Sequence, residues 1–248
     1  MGNPPIQVLQ AASRTAAAPV QPPALLLAGA TGALGVEILR WLAGSGGYGP
    51  VRLLAREPIT QGLRGVTFLV VPPEPGPGWP LSPARTGVIL FEPPRLFYDR
   101  ERALWTPRPD QLGALAGWMR DCGVSTLAVV LPHEQGRLPE ALKQGLATLD
   151  ELQVAALGFE RVLFVRSAQR PAPAAPGSLP GRIAHRMLST LRLMLPSSEQ
   201  PVRAAKVAEL VAQALKMAPA GIHVAAPELV WRAAQGNLQA ALAAWLVR

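Results

Sequence analysis

Gly29-Ala30-Thr31-Gly32-Ala33-Leu34-Gly35 sets glycines at every third position, a spacing suited to holding phosphate. In such a turn the first glycine permits a tight bend out of a strand. The second lets the backbone approach a pyrophosphate, and the third lets the following helix lie close to the sheet. The helix N-terminus then presents free N–H groups and the positive end of its dipole to the phosphates. All seven residues are therefore candidate dinucleotide contacts. The context supports this reading over an empty structural turn: apolar Ala24-Leu25-Leu26-Leu27-Ala28 precedes it, and an amphipathic stretch follows.

A second candidate is Arg56, at the end of the next apolar run, Val51 to Ala55. A side chain there meets the adenosine ribose: an acid selects NAD, while an arginine accommodates a 2′-phosphate. Arg56 and the nearby Arg52 favour NADP(H), and Glu57 beside them keeps NAD(H) as the alternative. A surface arginine without a ligand is the plainer reading of the same residue.

Groups able to do acid–base or nucleophilic work are few. His133 and Glu134 follow an apolar run at what should be the carboxyl end of a strand, where ligands bind in open α/β sheets. His133 is a weak catalytic candidate, because no partner of fixed geometry is visible and a solvated loop histidine explains it as well. His133, His185, His223 and Cys122 are too dispersed for a metal site. Cys122 lies on an apolar stripe before Gly123 and reads as a core residue, and Ser167 has no nucleophile-elbow context. Phe97, Tyr98 and Trp105 form an aromatic stretch that would cover a ligand or simply pack down.

The elements that must position these groups alternate between strand and helix. Strands are expected at 24–28, 51–55, 66–71, 87–91, 125–131, 161–165 and 222–225. Leu34, Ile38, Leu39 and Leu42 mark the helix after the glycine turn. Leu112, Leu115, Met119 and Cys122 mark another, with Asp110 as its N-cap. Pro139 opens a helix through Leu152 that Gly158 closes; further helices are expected at about 181–195 and 202–217. Pro227 starts a terminal helix carrying Leu238, Leu242 and Trp245 on one face. Pro72 to Pro83 contains six prolines and must be irregular; so must 171–180. The expectation is one α/β domain from residue 23 to 248, a Rossmann-like, doubly wound parallel sheet with helices on both faces, after a mobile Pro/Ala-rich tail at 1–22.

With 248 residues, 49% of them hydrophobic and 16% charged, the chain can bury one sizeable core. No apolar run reaches the ~20 residues of a membrane span, and the N-terminus lacks a secretory pattern. A single cysteine fits a cytoplasmic protein. The net charge of +8 invites a nucleic-acid reading. However, lysine occurs only at Lys143, Lys206 and Lys216, and the arginines are scattered, as in the residue bias of a GC-rich genome. A dedicated nucleic-acid surface is not expected.

GATGALG, preceded by LLLA and followed by VRLLAR, resembles the atypical and extended short-chain dehydrogenase/reductases, in particular their NAD(P)H-binding, NmrA-like groups. LGFERVLFVR and PVRAAKVAELVAQAL…GIHVAAPELV are similar to the family's later helix–strand units. The resemblance implies a Rossmann fold and a bound dinucleotide, with Arg56 on the adenine or the 2′-phosphate. It also implies a tyrosine with a lysine four residues later, which moves a proton while hydride transfers. That pair is missing: Arg52 follows Tyr48 and Arg102 follows Tyr98. On the family pattern the tyrosine falls on Lys143 and the lysine on Ala147; taking Lys143 as the lysine puts Pro139 at the tyrosine. The fourth strand, which should end in small residues, ends in Glu92-Pro93-Pro94.

The sequence therefore predicts a dinucleotide-binding protein, non-catalytic or degenerate, with a structural or sensing role. A protein partner or a homodimer is compatible with that role. Two alternatives stay open: an NADPH-dependent oxidoreductase with an unconventional proton donor, and a Rossmann scaffold without nucleotide.

Overall fold

The computed structural model describes residues 22–59, 62–95, 98–133, 148–168 and 202–246. The expected N-terminal tail (but for Pro22), Phe97, Glu134, Lys143, the helix start at Pro139, His185, the 171–180 loop and the helix at 181–195 lie outside the described residues.

Seven parallel strands form one sheet in the order β3-β2-β1-β4-β5-β6-β7. They are β1 (Leu25–Ala28), β2 (Val51–Ala55), β3 (Val66–Val70), β4 (Thr86–Leu90), β5 (Thr126–His133), β6 (Arg161–Ala168) and β7 (Gly221–Ala225). Order 3-2-1-4-5-6 is that of doubly wound dinucleotide folds, and here a seventh strand extends it. The fold implied by the short-chain dehydrogenase resemblance is thus the one found.

Among the described residues the helices are α1 (Gly32–Gly44), α2 (Asp99–Ala103), α3 (Leu112–Asp121), α4 (Leu149–Ala156), α5 (Ala204–Met217), α6 (Pro227–Gln235) and α7 (Leu238–Leu246). β1 explains why both faces are covered. Its successive side chains point to opposite sides of the sheet, and all four are buried. Leu25 and Leu27 join a core with Ile38 and Leu42 of α1 and Val207 and Val211 of α5. Leu26 and Ala28 join the opposite core with Trp105, with Leu115 and Met119 of α3 and with Val154 of α4.

Three details depart from the sequence reading. The helix expected from Pro227 onward is two helices, broken where Gly236 takes the C-cap of α6. Asp110 is not the N-cap of α3: it lies in a 3-10 turn, Pro109–Gln111, that leads into the helix, and Gln111 takes the cap position without a side-chain bond. The short helix α2 and the antiparallel bridge that follows it, between Ala55 and Leu104, were not expected.

Candidate functional site

The order of strands reverses between β1 and β4, and in such folds this switch point is where ligands bind, beyond the carboxyl ends of the strands. Gly29 leaves β1 with φ of 76° and Gly32 enters α1 with φ of 70°, left-handed values that disfavour any side chain. A Cβ on Gly29 would stand 2.0 Å from the Leu90 carbonyl oxygen of β4, so the turn presses directly on the neighbouring strand. A Cβ on Gly35 would stand 2.7 Å from the Ala30 carbonyl carbon, so this glycine lets the first turn of α1 close against the loop that precedes it.

The N-terminus of a helix leaves its first four N–H groups without helical partners. In α1 the amides of Gly32, Ala33 and Leu34 converge as an anion site should and hold anions supplied by the chain itself, while Gly35 N also closes the first helical bond, to Thr31 O at 3.2 Å. The Glu92 carboxylate, just past β4, accepts from Ala33 N at 3.1 Å, Leu34 N at 2.7 Å and Gly35 N at 3.3 Å. Glu101 Oε2, on α2, accepts from Gly32 N at 2.9 Å. Thr31 would ordinarily cap the helix with its hydroxyl. Instead it is fully buried and donates to the Glu92 carbonyl oxygen. A Cβ on Gly32 would lie 2.2 Å from Glu92 Cδ. The space that this glycine keeps open is filled by the glutamate.

The two carboxylates are held differently. Glu101 is buried and receives Arg95 Nε at 2.8 Å, Arg95 Nη2, and the Arg95 backbone N at 3.0 Å. Arg95 in turn lies 3.8 Å over the Tyr98 ring. Burial works to raise the Glu101 pKa, but the hydrogen bonds from Arg95 and Gly32 outweigh it and hold the carboxyl below the usual range. Glu92 has no ion pair among the described residues, and its carboxylate bonds there all come from α1 amides. Burial pushes its pKa up; the three amides oppose that, and the charge of Glu101 adds to it.

The crevice beyond β1 and β2 is also lined by the chain. Ala103 to Trp105 runs along the carboxyl ends of β1 and β2: Trp105 N donates to Leu54 O at 3.0 Å, Gly29 N to Trp105 O at 3.2 Å and Arg56 N to Ala103 O at 2.8 Å. Trp105 is buried against Trp79, and its indole N–H donates to Pro73 O at 3.0 Å. Arg56 itself is exposed at the end of β2, as the sequence placed it. Arg52 is not part of the crevice; its guanidinium reaches back to the Pro83 carbonyl.

The remaining candidates are dispersed. Tyr48 precedes β2 at the amino end of the sheet, away from the glycine turn, and burial raises its pKa. Tyr98 is half-exposed beside Arg95 and Asp99 pairs with Arg102, so the residue four after Tyr98 is an arginine in an ion pair. The backbone of His133 ends β5, in register with Ala168, at the carboxyl edge. Ser167 is buried on β6, and Cys122 is buried in the core, where it accepts from Ser82 N at 3.4 Å. Burial pushes the Cys122 thiol pKa up, as suits an inert core residue. His223 contacts the Pro219 carbonyl at the far edge of the sheet. No group of three metal-ligating side chains occurs among the described residues.

The sequence reading registered Glu92-Pro93-Pro94 as a departure from small residues but missed what Glu92 does. The available signal was topological: β4 lies beside β1, so a carboxylate ending β4 must fall near the helix that β1 feeds. It also missed the buried pair of Arg166 on β6 and Glu151 on α4, at 2.8 and 3.0 Å.

No family model and no curated protein matches the chain. Among solved structures it is similar to the Bordetella bronchiseptica enzyme WbmH in complex with NAD+, at 12% identity and a TM-score of 0.42, over 85% of this chain and 80% of that one. It is also similar to UDP-N-acetylglucosamine 4-epimerase from Bacillus cereus, at 13% identity and a TM-score of 0.43, over 84% and 82% of the two chains. A Rossmann-fold NAD(P)-binding family protein from Shigella flexneri matches at 14% identity and a TM-score of 0.43, over 79% and 87%.

Proposed function

We propose that this chain is a catalytically degenerate Rossmann protein that holds a dinucleotide for a structural or sensing purpose, with NADP(H) preferred over NAD(H). The observation that carries the reading is the set of converging α1 amides after Gly29 and Gly32, at the switch point of the sheet, already engaged with anionic oxygens. Such a set suits a pyrophosphate as well as a carboxylate. Exposed Arg56 at the end of β2 supports the NADP(H) preference. The degenerate half of the reading rests on Tyr48 and Tyr98, neither of which has a lysine four residues on. The single cysteine of the chain supports a cytoplasmic setting; no described helix is long and apolar enough to cross a membrane.

A second reading, a Rossmann scaffold without nucleotide, is favoured by Glu92 standing against Gly32. Thermal unfolding with NADPH and with NADH separates the two. A ligand at 100 times its Kd adds about 2.7 kcal/mol by mass action. Stabilisation by NADPH exceeding that by NADH supports the first reading, equal shifts remove the role of Arg56, and no shift with either supports the scaffold.

A further inference from the structure

We infer that Glu92 is a built-in competitor of the phosphate ligand: its carboxylate occupies the pyrophosphate subsite of the glycine turn and must leave for an anion to enter. The inference deepens the dinucleotide reading above and rests on it for the identity of the natural ligand.

Four observations converge on Glu92. Its carboxylate takes the amides of Ala33 and Leu34, which have no helical acceptor and which a pyrophosphate would use, and shares Gly35 N with Thr31 O. Its side chain fills the space that Gly32 leaves by lacking a Cβ. Thr31 gives up local capping to fix the Glu92 backbone through its carbonyl. Finally, the carboxylate is tied only to α1 amides among the described residues, whereas Glu101 is locked by Arg95. Glu92 is thus the removable member of the pair, and Glu101 the fixed one.

The electrostatics agree. A pyrophosphate approaching the turn meets the Glu92 charge directly, while that of Glu101 is balanced by Arg95, and a like charge in the site opposes binding. Rotating the Glu92 side chain outward removes that charge and frees Ala33 N and Leu34 N together. Glu92 is only half-buried, so it has solvent to turn into.

The test uses the full chain, isothermal titration and two probes, inorganic pyrophosphate and NADPH. Glu92→Ala should bind pyrophosphate at least tenfold more tightly than wild type. Glu74→Ala, which removes an exposed carboxylate paired with Arg108, controls for net charge and should bind like wild type. Glu92→Gln keeps the shape and removes the charge; it serves where the alanine variant folds poorly and should show the same direction of change. No gain in pyrophosphate affinity in either Glu92 variant, or an equal gain in Glu74→Ala, overturns the inference. Tighter pyrophosphate binding with no NADPH binding by any variant would leave the competitor standing and remove the dinucleotide reading. NADPH binding by wild type with no gain in the Glu92 variants for either probe would do the reverse.

Discussion

The Glu92 carboxylate and the Leu34 amide, 58 residues apart in sequence, are joined by a 2.7 Å hydrogen bond across the carboxyl ends of β4 and β1. That bond ties the loop after β4 to the first turn of α1, and it makes the glycine turn part of the folded core as well as a ligand site. Side chains usually read as binding determinants therefore have measurable effects on stability here.

Gly32→Ala illustrates this. The substitution forces a side chain into a φ of 70° and against Glu92 Cδ. The left-handed backbone alone costs about 1–2 kcal/mol. Displacing Glu92 adds to it, and in a Glu92→Ala background that addition should vanish. A double-mutant cycle by urea denaturation should give a coupling of about 0.5–3 kcal/mol. Additive effects would mean that Glu92 does not fill the space over Gly32.

Gly35→Val should be worse than any substitution at Gly32. Its Cβ would meet backbone, Ala30 C at 2.7 Å and Gly29 O at 2.9 Å, which cannot rotate away as a glutamate side chain can. The expected loss exceeds the 1–3 kcal/mol typical of overpacking. Chemical denaturation monitored by tryptophan fluorescence would measure it.

Acid titration of stability should separate Glu101 from Glu92. Because Glu101 is held below the usual carboxylate range, its contribution is present above the unfolded pKa and is lost as pH falls through the lower folded value. Glu92 is shifted upward, so its ionisation costs stability as pH rises past the unfolded value, and acid relieves that cost. Glu101→Gln should flatten the acid loss seen in wild type. Glu92→Gln should steepen it, and equal profiles for the two variants would contradict the opposed shifts.

Arg166 and Glu151 test the far side of the sheet. Both side chains are 2% exposed, so removing one partner takes a shared ion pair from a buried charge. Arg166→Met alone should cost about 3–5 kcal/mol, whereas Arg166→Met with Glu151→Leu should recover most of it. Urea midpoints of the three proteins decide the matter.

Carbonyl reduction should be absent. Positioned acid–base help is worth about 10² to 10⁴ in rate, and neither Tyr48 nor Tyr98 has the lysine that would provide it. The assay follows NADPH oxidation with aldehydes, ketones and quinones at high protein concentration. Robust turnover would require another proton donor, and His133→Ala would be the first variant to make.

Much of this architecture is legible in the sequence because local pattern dictates it. The apolar LLLA run, the glycine turn and the Leu34–Ile38–Leu42 stripe specify β1, the bend and α1 within one stretch of chain. The same holds for β2, whose expected limits coincide with those found. What was not legible depends on distant partners. Glu92 and Glu101 acquire their roles only once β4 lies beside β1. The Ala103–Trp105 stretch reads as loop until the ends of β1 and β2 offer it hydrogen bonds. The break at Gly236 was missed because the stripe of Leu238, Leu242 and Trp245 lies wholly beyond it, so nothing in that stripe marks where the helix from Pro227 stops.

The long sequence separation between α1 and its two anionic partners has a consequence for folding order. When β1, α1 and β2 leave the ribosome, the amides of Gly32, Ala33 and Leu34 lack the carboxylates that receive them in the folded protein, because Glu92 and Glu101 are not yet made. The glycine turn gains its final set of bonds only once the chain has been extended through Glu101. Closing a loop of that length costs entropy before it returns any contact, which puts the glycine turn among the late-forming parts of the molecule and slows its folding relative to locally closed units.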